Sequence, residues 1–517
     1  MTGKYPRLER WPSRPHIDAR AINLSSTLLI PLIIMAMAAT ICAQELEPSV
    51  IQDSSPSDSG WYFLSSRATV LMDSLWPAEE LSREAHIERF ARVSQRAVQL
   101  YQRAMDLYLE ELPRVQSSRR AWHRWWENFD RQQEHFWTTW QGQFGKLFEH
   151  NLQTIWSDAY PHRLEGTIPL TAPGAVFLTH EFGDVIIQGA PGAVAHLVAE
   201  IKVLASSRID AQQYAQAIAF EVIPENSTTK VTTRLPTSRP RSVEGTSIAL
   251  QVEIPPDCPL QVENSFGNVS IRGLTKGLKA KTSHGVLEID DCSGDLVLSN
   301  RQGKVVVKMG DGDLHVETSF GPIVVTQVHG DVFASNKFGP VSIAEVSGSV
   351  QVENSAAPIE IADIGGEVTV NNRLGHVTVL RVAGDLMVGN TGSPVRIADV
   401  RGETHIENSR GEIWAEKLFG NTVILCQKGD VDLVLDEIRQ NRYRLDTSFG
   451  IVRLNLPLKP SALISAETIY GTIDSDFPLE IKRLGSTQLA RGKLGQGMAD
   501  IQLDARNSNI YLISSQR

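Results

Sequence analysis

The chain has 517 residues, 42% of them apolar and 21% charged, with a net charge of −10. That composition fits a folded protein of two or three domains. The acidic balance speaks against nucleic acid and anionic lipid as partners of the body, and four scattered cysteines do not make a disulfide framework.

Residues 1–43 read as a targeting segment. Lys4, Arg7, Arg10, Arg14 and Arg20 form a basic region ahead of an uncharged apolar run over 28–43. The run is shorter than the ~20 residues of a spanning helix and Pro31 interrupts it. Two outcomes fit: a signal peptide cleaved after Ala43, or a retained anchor in the inner membrane. Thr40 and Ile41 ahead of Cys42 are too bulky for a lipoprotein site. Cleavage removes five basic and two acidic side chains and leaves a body at −13. Residues 44–76 form a linker that opens with Pro48, Pro56 and several serines.

The spacing predicts a helical hairpin over 77–160. Ile87, Phe90, Ala97, Tyr101, Met105, Tyr108 and Leu112 make one apolar stripe, and Pro113 ends it. Trp122, Trp126, Phe129, Phe136, Trp140, Phe144, Leu147 and Ile155 make the second, and six of the ten tryptophans fall between residues 122 and 156. Such a helix suits self-packing in a hairpin, a membrane interface or a docking partner. A β-rich region follows over 161–257, with a short helix near Asp210 to Ala219 and an exposed loop over 228–247, where Pro236 and Pro240 stand.

From residue 258 to 435 the chain repeats. Gly294, Gly312, Gly330, Gly348, Gly366, Gly384, Gly402 and Gly420 recur every eighteen residues. A second series half a period away runs Gly267, Gly285, Gly303, Gly321, Gly339, Ala357, Gly375, Ser393, Gly411 and Gly429. The second and fourth positions after nearly every glycine are Val, Ile or Leu, the alternation of a strand with one buried face. Each half-repeat therefore predicts one strand and one turn, with glycine supplying a turn dihedral. Two halves make one coil of a parallel β-solenoid, of the β-helix or β-roll kind, and nine such coils span roughly 45 Å. Asn300, Asn336, Asn354, Asn372, Asn390 and Asn408 fall in one column, with Asn264, Thr282 and Thr318 filling it, and predict an amide ladder from coil to coil. Val328, Val346, Ile364, Val382, Val400 and Leu418 make an apolar column, and Cys292 falls on it. After Gly429 the period loosens, and 436–517 read as irregular capping coils.

The segments Glu263-Asn-Ser-Phe-Gly-Asn-Val-Ser-Ile, Asn336-Lys-Phe-Gly-Pro-Val-Ser-Ile and His180-Glu-Phe-Gly-Asp-Val-Ile-Ile resemble a bacterial family named putative adhesin, over about 165–517. The resemblance implies a β-solenoid at the cell envelope and supplies no catalytic residues.

Three surfaces stand out. Asp295, Asp313, Asp331, Glu367, Asp385 and Glu403 follow first-series glycines and make an acidic edge. Neighbouring carboxylates there repel by up to ~1 kcal/mol, and Ca²⁺ would relieve that. The Gly-Gly-x-Gly-x-Asp turn of calcium-binding β-rolls is absent. Phe266, His284, Phe320 and Phe338 precede second-series glycines and offer rings for sugar stacking, although Gln302, Ala356, Leu374 and Arg410 interrupt them. His315, His376 and His405 read as outward-facing strand residues rather than metal ligands. Short uniform coils leave no loops to build a catalytic cleft, and no nucleophile-elbow, metalloprotease or phosphate-loop motif occurs. The expectation is an exported, non-enzymatic protein of the periplasm or cell surface that displays a binding surface for another envelope protein or a glycan. No cofactor is expected apart from the calcium of the acidic edge. The alternatives are a self-assembling or membrane-associated scaffold, touching membrane through the N-terminal segment or the Trp-rich helix, and a β-helix carbohydrate-active enzyme.

Overall fold

The computed structural model describes residues 159–170, 174–225 and 227–515. The targeting segment, the linker and the Trp-rich hairpin lie outside the described residues. What is described is mainly β, with 34 strands joined by mixed pairing and one α-helix, Arg208–Gln216. The helix is capped by Ser207, whose side chain accepts from the Asp210 N–H, and it buries Ala211, Tyr214 and Ala215. No helix among the described residues is long and apolar enough to cross a membrane.

The repeat is written directly into the pairing. Leu278–His284 lies parallel to Leu296–Gln302, with Leu278 opposite Leu296 and Thr282 opposite Asn300. Leu287–Ser293 lies parallel to Val305–Asp311, with Leu287 opposite Val305. The offset is eighteen residues, and it persists in two alternating series to Thr422–Lys428 and Val431–Val434. A constant offset stacks like on like, so each apolar column closes on itself. Val328, Val346, Ile364, Val382, Val400 and Leu418 are all at most 2% exposed. The turns joining strands from Leu278 to Val434 are two to four residues long.

Both ends depart from chain order. Val185–Gly189 sits between Val243–Ile254 and Val269–Arg272, and Ala175–Phe182 sits between Thr228–Arg234 and Leu260–Phe266. At the other end, the final strands Ala499–Arg506 and Ser508–Ser515 pair with Arg442–Pro457 on one side and with Ala462–Ile469 and Ile473–Ser475 on the other. The capping segments are therefore interleaved rather than stacked in sequence. The loop expected over 228–247 is a strand for its first third: Thr229 and Val231 are buried in Thr228–Arg234, and only 235–242 stay outside strands. The β-branched alternation of Thr229, Val231 and Thr233 outweighed the polar composition that suggested a loop.

The outermost strands pair antiparallel and on one side only. Tyr160–Pro169 contains Pro161, Ala219–Glu225 contains Pro224, and Glu480–Leu484 is exposed throughout with a Glu480–Lys482 ion pair of 2.7 Å. Proline and charge on an edge strand discourage a further strand from adding.

Candidate functional site

The outward positions of the repeat lie on its strands and in two rows of turns, and the rows differ in glycine dihedrals. At the first-series row, the glycines from Gly330 to Gly420 do not adopt a left-handed φ. A Cβ on any of them would lie under 3.0 Å from the backbone of the glycine eighteen residues earlier. Close backbone approach, not a special dihedral, excludes a side chain there. At the second-series row the same close approach recurs, with a Cβ on Gly321 2.2 Å from Gly303 O, and the expected dihedral is present as well at several positions, such as Gly321 with φ 141°.

Several oxygens of the acidic residues have internal work. Asp313 Oδ1 accepts from the Asp331 N–H at 3.0 Å, Asp331 Oδ1 from the Ser349 N–H at 2.7 Å, and Asp385 Oδ1 from the Glu403 N–H at 2.7 Å. Ser349 serves the Glu367 N–H in the same way, and Glu403 Oε1 accepts from Asn421 Nδ2 at 2.9 Å. Each such side chain caps the turn of the following repeat, which explains why short oxygen-bearing residues recur there. Asp295 stands in the same row with no such bond from its own carboxylate. Among the described residues, no group of three or more His, Cys, Asp or Glu is placed to hold a metal ion.

The asparagine column does not form the side-chain ladder its spacing suggests. Asn336 Nδ2 donates to the carbonyls of Gly321 at 2.9 Å and Gly339 at 2.8 Å. Asn354, Asn372, Asn390 and Asn408 do the same with the second-series carbonyls of their own repeat and the one before, and Asn300 reaches Gly285 O at 2.9 Å. An amide beside a turn finds backbone carbonyls nearer than the next amide. These asparagines are at most 5% exposed, so the bonds satisfy groups that water does not reach. His180 begins the same column, with Nε2 2.9 Å from Ile248 O, and Cys426 ends the run of asparagines, its sulfur 3.7 Å from the carbonyls of Gly411 and Gly429. Burial pushes the Cys426 thiol up to about 12 and raises those of Cys258 and Cys292, which keeps all three as unreactive thiols.

The aromatic row forms two stacks. Phe182, Phe266 and His284 lie face to face with centroids 5.6 and 4.7 Å apart, and Phe320 lies on Phe338 at 5.0 Å. Phe182 joins the row through pairing across 84 residues, which sequence spacing could not reveal. The ring faces meet one another, so a sugar meets ring edges along the row rather than open faces. His315 stacks on Phe333 at 4.6 Å, and both His315 and His405 bond the glutamate two residues on at 3.0 Å. His376 lies in a turn ahead of Val377–Val382 rather than on a strand.

One feature of every repeat escaped the sequence. Asp291, Met309, Gln327, Glu345, Asp363, Arg381, Asp399 and Lys417 recur at eighteen residues and all take a left-handed φ between 51° and 61°. This residue bulges outward so that the next one enters the apolar column. Within the row, Arg381 makes two bonds to Asp363, at 2.5 and 2.7 Å, and holds its carboxyl below the ordinary range.

Comparison with known proteins gives a faint likeness. No protein-family model and no curated protein matches the chain. Among solved structures it is similar to a putative cell adhesion protein from Clostridium sporogenes, at 8% identity over 68% of this chain and 100% of that one, with a TM-score of 0.16. It is also similar to a putative lipid binding protein from Parabacteroides distasonis, at 12% identity over 57% and 95%, with a TM-score of 0.24. A putative adhesin from Bacteroides fragilis matches at 11% identity over 56% and 96%, with a TM-score of 0.19. At TM-scores of this size the likeness carries neither fold nor function.

Proposed function

We propose that the described residues coil as a parallel β-solenoid, and that the chain is an exported, non-enzymatic envelope protein of the adhesin-like kind that presents its faces and turn rows to an extended partner. The observation that carries this reading is the unbroken eighteen-residue register, which lines up equal side chains in long columns joined by turns of two to four residues. Columns repeat one chemistry along a line, which suits a polymer or a long protein surface better than a small substrate. Export is supported by the basic and apolar pattern of residues 1–43.

End-to-end self-assembly has less support, because the outer strands carry Pro161, Pro224 and the charged Glu480–Leu484. The test is fractionation of cells producing the full chain, followed by protease treatment of intact spheroplasts. The expected result is envelope-fraction protein that external protease reaches. Full-length chain confined to the cytosol overturns the reading.

A further inference from the structure

The net charge conceals a second edge. The second-series turns from Ser283 to Arg373 carry Arg301, Lys304, Lys337 and Arg373 and no carboxylate, opposite in sign to the acidic first-series turns. Acids bound this run at its ends, with Glu181 and Asp184 before it and Glu412 and Asp430 after it. The bases are also periodic. Arg301, Lys337 and Arg373 fall thirty-six residues apart in one column, every second repeat, and Ser319, Ser355 and Thr391 fill the alternate places. Stacked positions are about 4.8 Å apart, so these cations recur about every 10 Å.

Several other bases on the surface are paired. Lys308 pairs with Glu288, Arg381 with Asp363, Arg453 with Asp432, and Arg396 lies over the Trp414 ring. Arg301, Lys337 and Arg373 are exposed and make no ion pair among the described residues. The nearest acids of the strand face, Glu317 and Glu353, stand two residues inward on the alternate repeats, and Glu317 is bonded to His315. The acidic residues opposite can occupy consecutive repeats because several cap the next turn, whereas the basic column has no such internal bond. Unpaired charge in a line, with hydroxyls between, has the form of a contact surface.

We propose that this basic column binds a linear anionic glycan whose carboxylates recur once per disaccharide, laid along the stack of repeats. Alternating acidic and neutral sugars match the alternation of base and hydroxyl, and the exposed edges of Phe320 and Phe338 flank the same row. The proposal deepens the display reading above and rests on it for the ligand's setting.

The test uses purified full-length chain and three immobilised probes: hyaluronan with one carboxylate per disaccharide, alginate with one per sugar, and uncharged dextran. The expected result is binding strongest to hyaluronan, absent on dextran and weakened by salt. Combining Arg301→Ser, Lys337→Ser and Arg373→Thr, residue types the column already holds, should weaken hyaluronan binding at least about tenfold. The charge-preserving set Arg301→Lys, Lys337→Arg and Arg373→Lys should retain it, as should Arg381→Ser, Arg401→Ser and Lys417→Ser in and beside the opposite row. Equal loss from both neutralised rows means that only net charge matters and overturns the proposal, as does stronger binding to alginate. A change in sedimentation mass with glycan binding unaltered would assign the column to a second copy of the chain, and would also overturn it. Because these measurements are made on purified protein, their failure leaves the envelope fractionation result standing, and the reverse also holds.

Discussion

The two rows of turns come from one repeat, eighteen residues long, and both press backbone on backbone, yet only the second admits exceptions to glycine. In the first row, backbone meets backbone so closely that even a methyl group has no room from Gly330 to Gly420. In the second row the sequence itself supplies exceptions: Ala357 and Ser393 stand in the glycine column, buried, and Ser393 Oγ accepts from the Gly375 N–H at 3.0 Å. Both rows are sealed by contact, and the second is tied in addition by buried side chains to carbonyls. Identical spacing therefore does not mean identical constraint.

The difference can be broken at its strongest point first. Gly384→Ala places a Cβ 2.5 Å from the Gly366 carbonyl oxygen, with the Glu367 nitrogen at 2.9 Å. It should cost about 3 kcal/mol, read as a lower urea midpoint. At the second row, Asn372→Leu removes the bonds to Ala357 O and Gly375 O and should cost about 2 kcal/mol in the same assay. Asn372→Thr should cost less, since Thr282 and Thr318 already stand buried in the column. Gln327→Val forces a β-branched residue to hold φ 58° beside the first row and should cost about 1–2 kcal/mol, whereas Gln327→Gly should be neutral or better.

A pH measurement sharpens the account of the buried column. Burial lowers His180 below the ordinary histidine value, so the folded chain keeps it uncharged. The unfolded chain then takes up the proton first. Stability is complete above about pH 6.5 and declines as pH falls below it. His180→Asn, the residue type that follows at Asn264, should flatten this slope between about pH 7 and pH 5.5. Some slope should remain from His284, which burial also lowers. The smallest effect is a gain. Gly310 occupies the apolar column between Cys292 and Val328, and an added Cβ would meet only side chains at 3.5–3.9 Å. Gly310→Ala should stabilise by about 0.5–1 kcal/mol, seen as a higher thermal midpoint.

Much of this was legible in the residues. The eighteen-residue register, the strand at each half-repeat and the burial of Cys292 follow from side chains whose hydrophobicity repeats with the backbone. The bulge row was not legible, because Asp291, Met309, Gln327 and Arg381 share a dihedral and no chemistry. The partners of the asparagines were missed because spacing places amides in line without saying which acceptor is nearer. The acidic residues could be read as a row, yet most of the amides that their oxygens meet belong to backbone, which sequence does not display. The basic column was hidden by the sum: a net charge of −10 conceals a line of cations on one row of turns.

The interleaved ends bear on how the chain responds to force. Most contacts in the middle join residues eighteen apart, whereas Asp184 accepts from Asn268 across 84 residues and Ser515 Oγ reaches Leu456 across 59. Such links act as clasps, because a terminal segment held between two later ones does not peel away alone. Drawn from both termini, the molecule should hold until a clasp opens and then pay out in a sawtooth. Each tooth would lengthen the tether by about 60 Å, the extended span of one repeat.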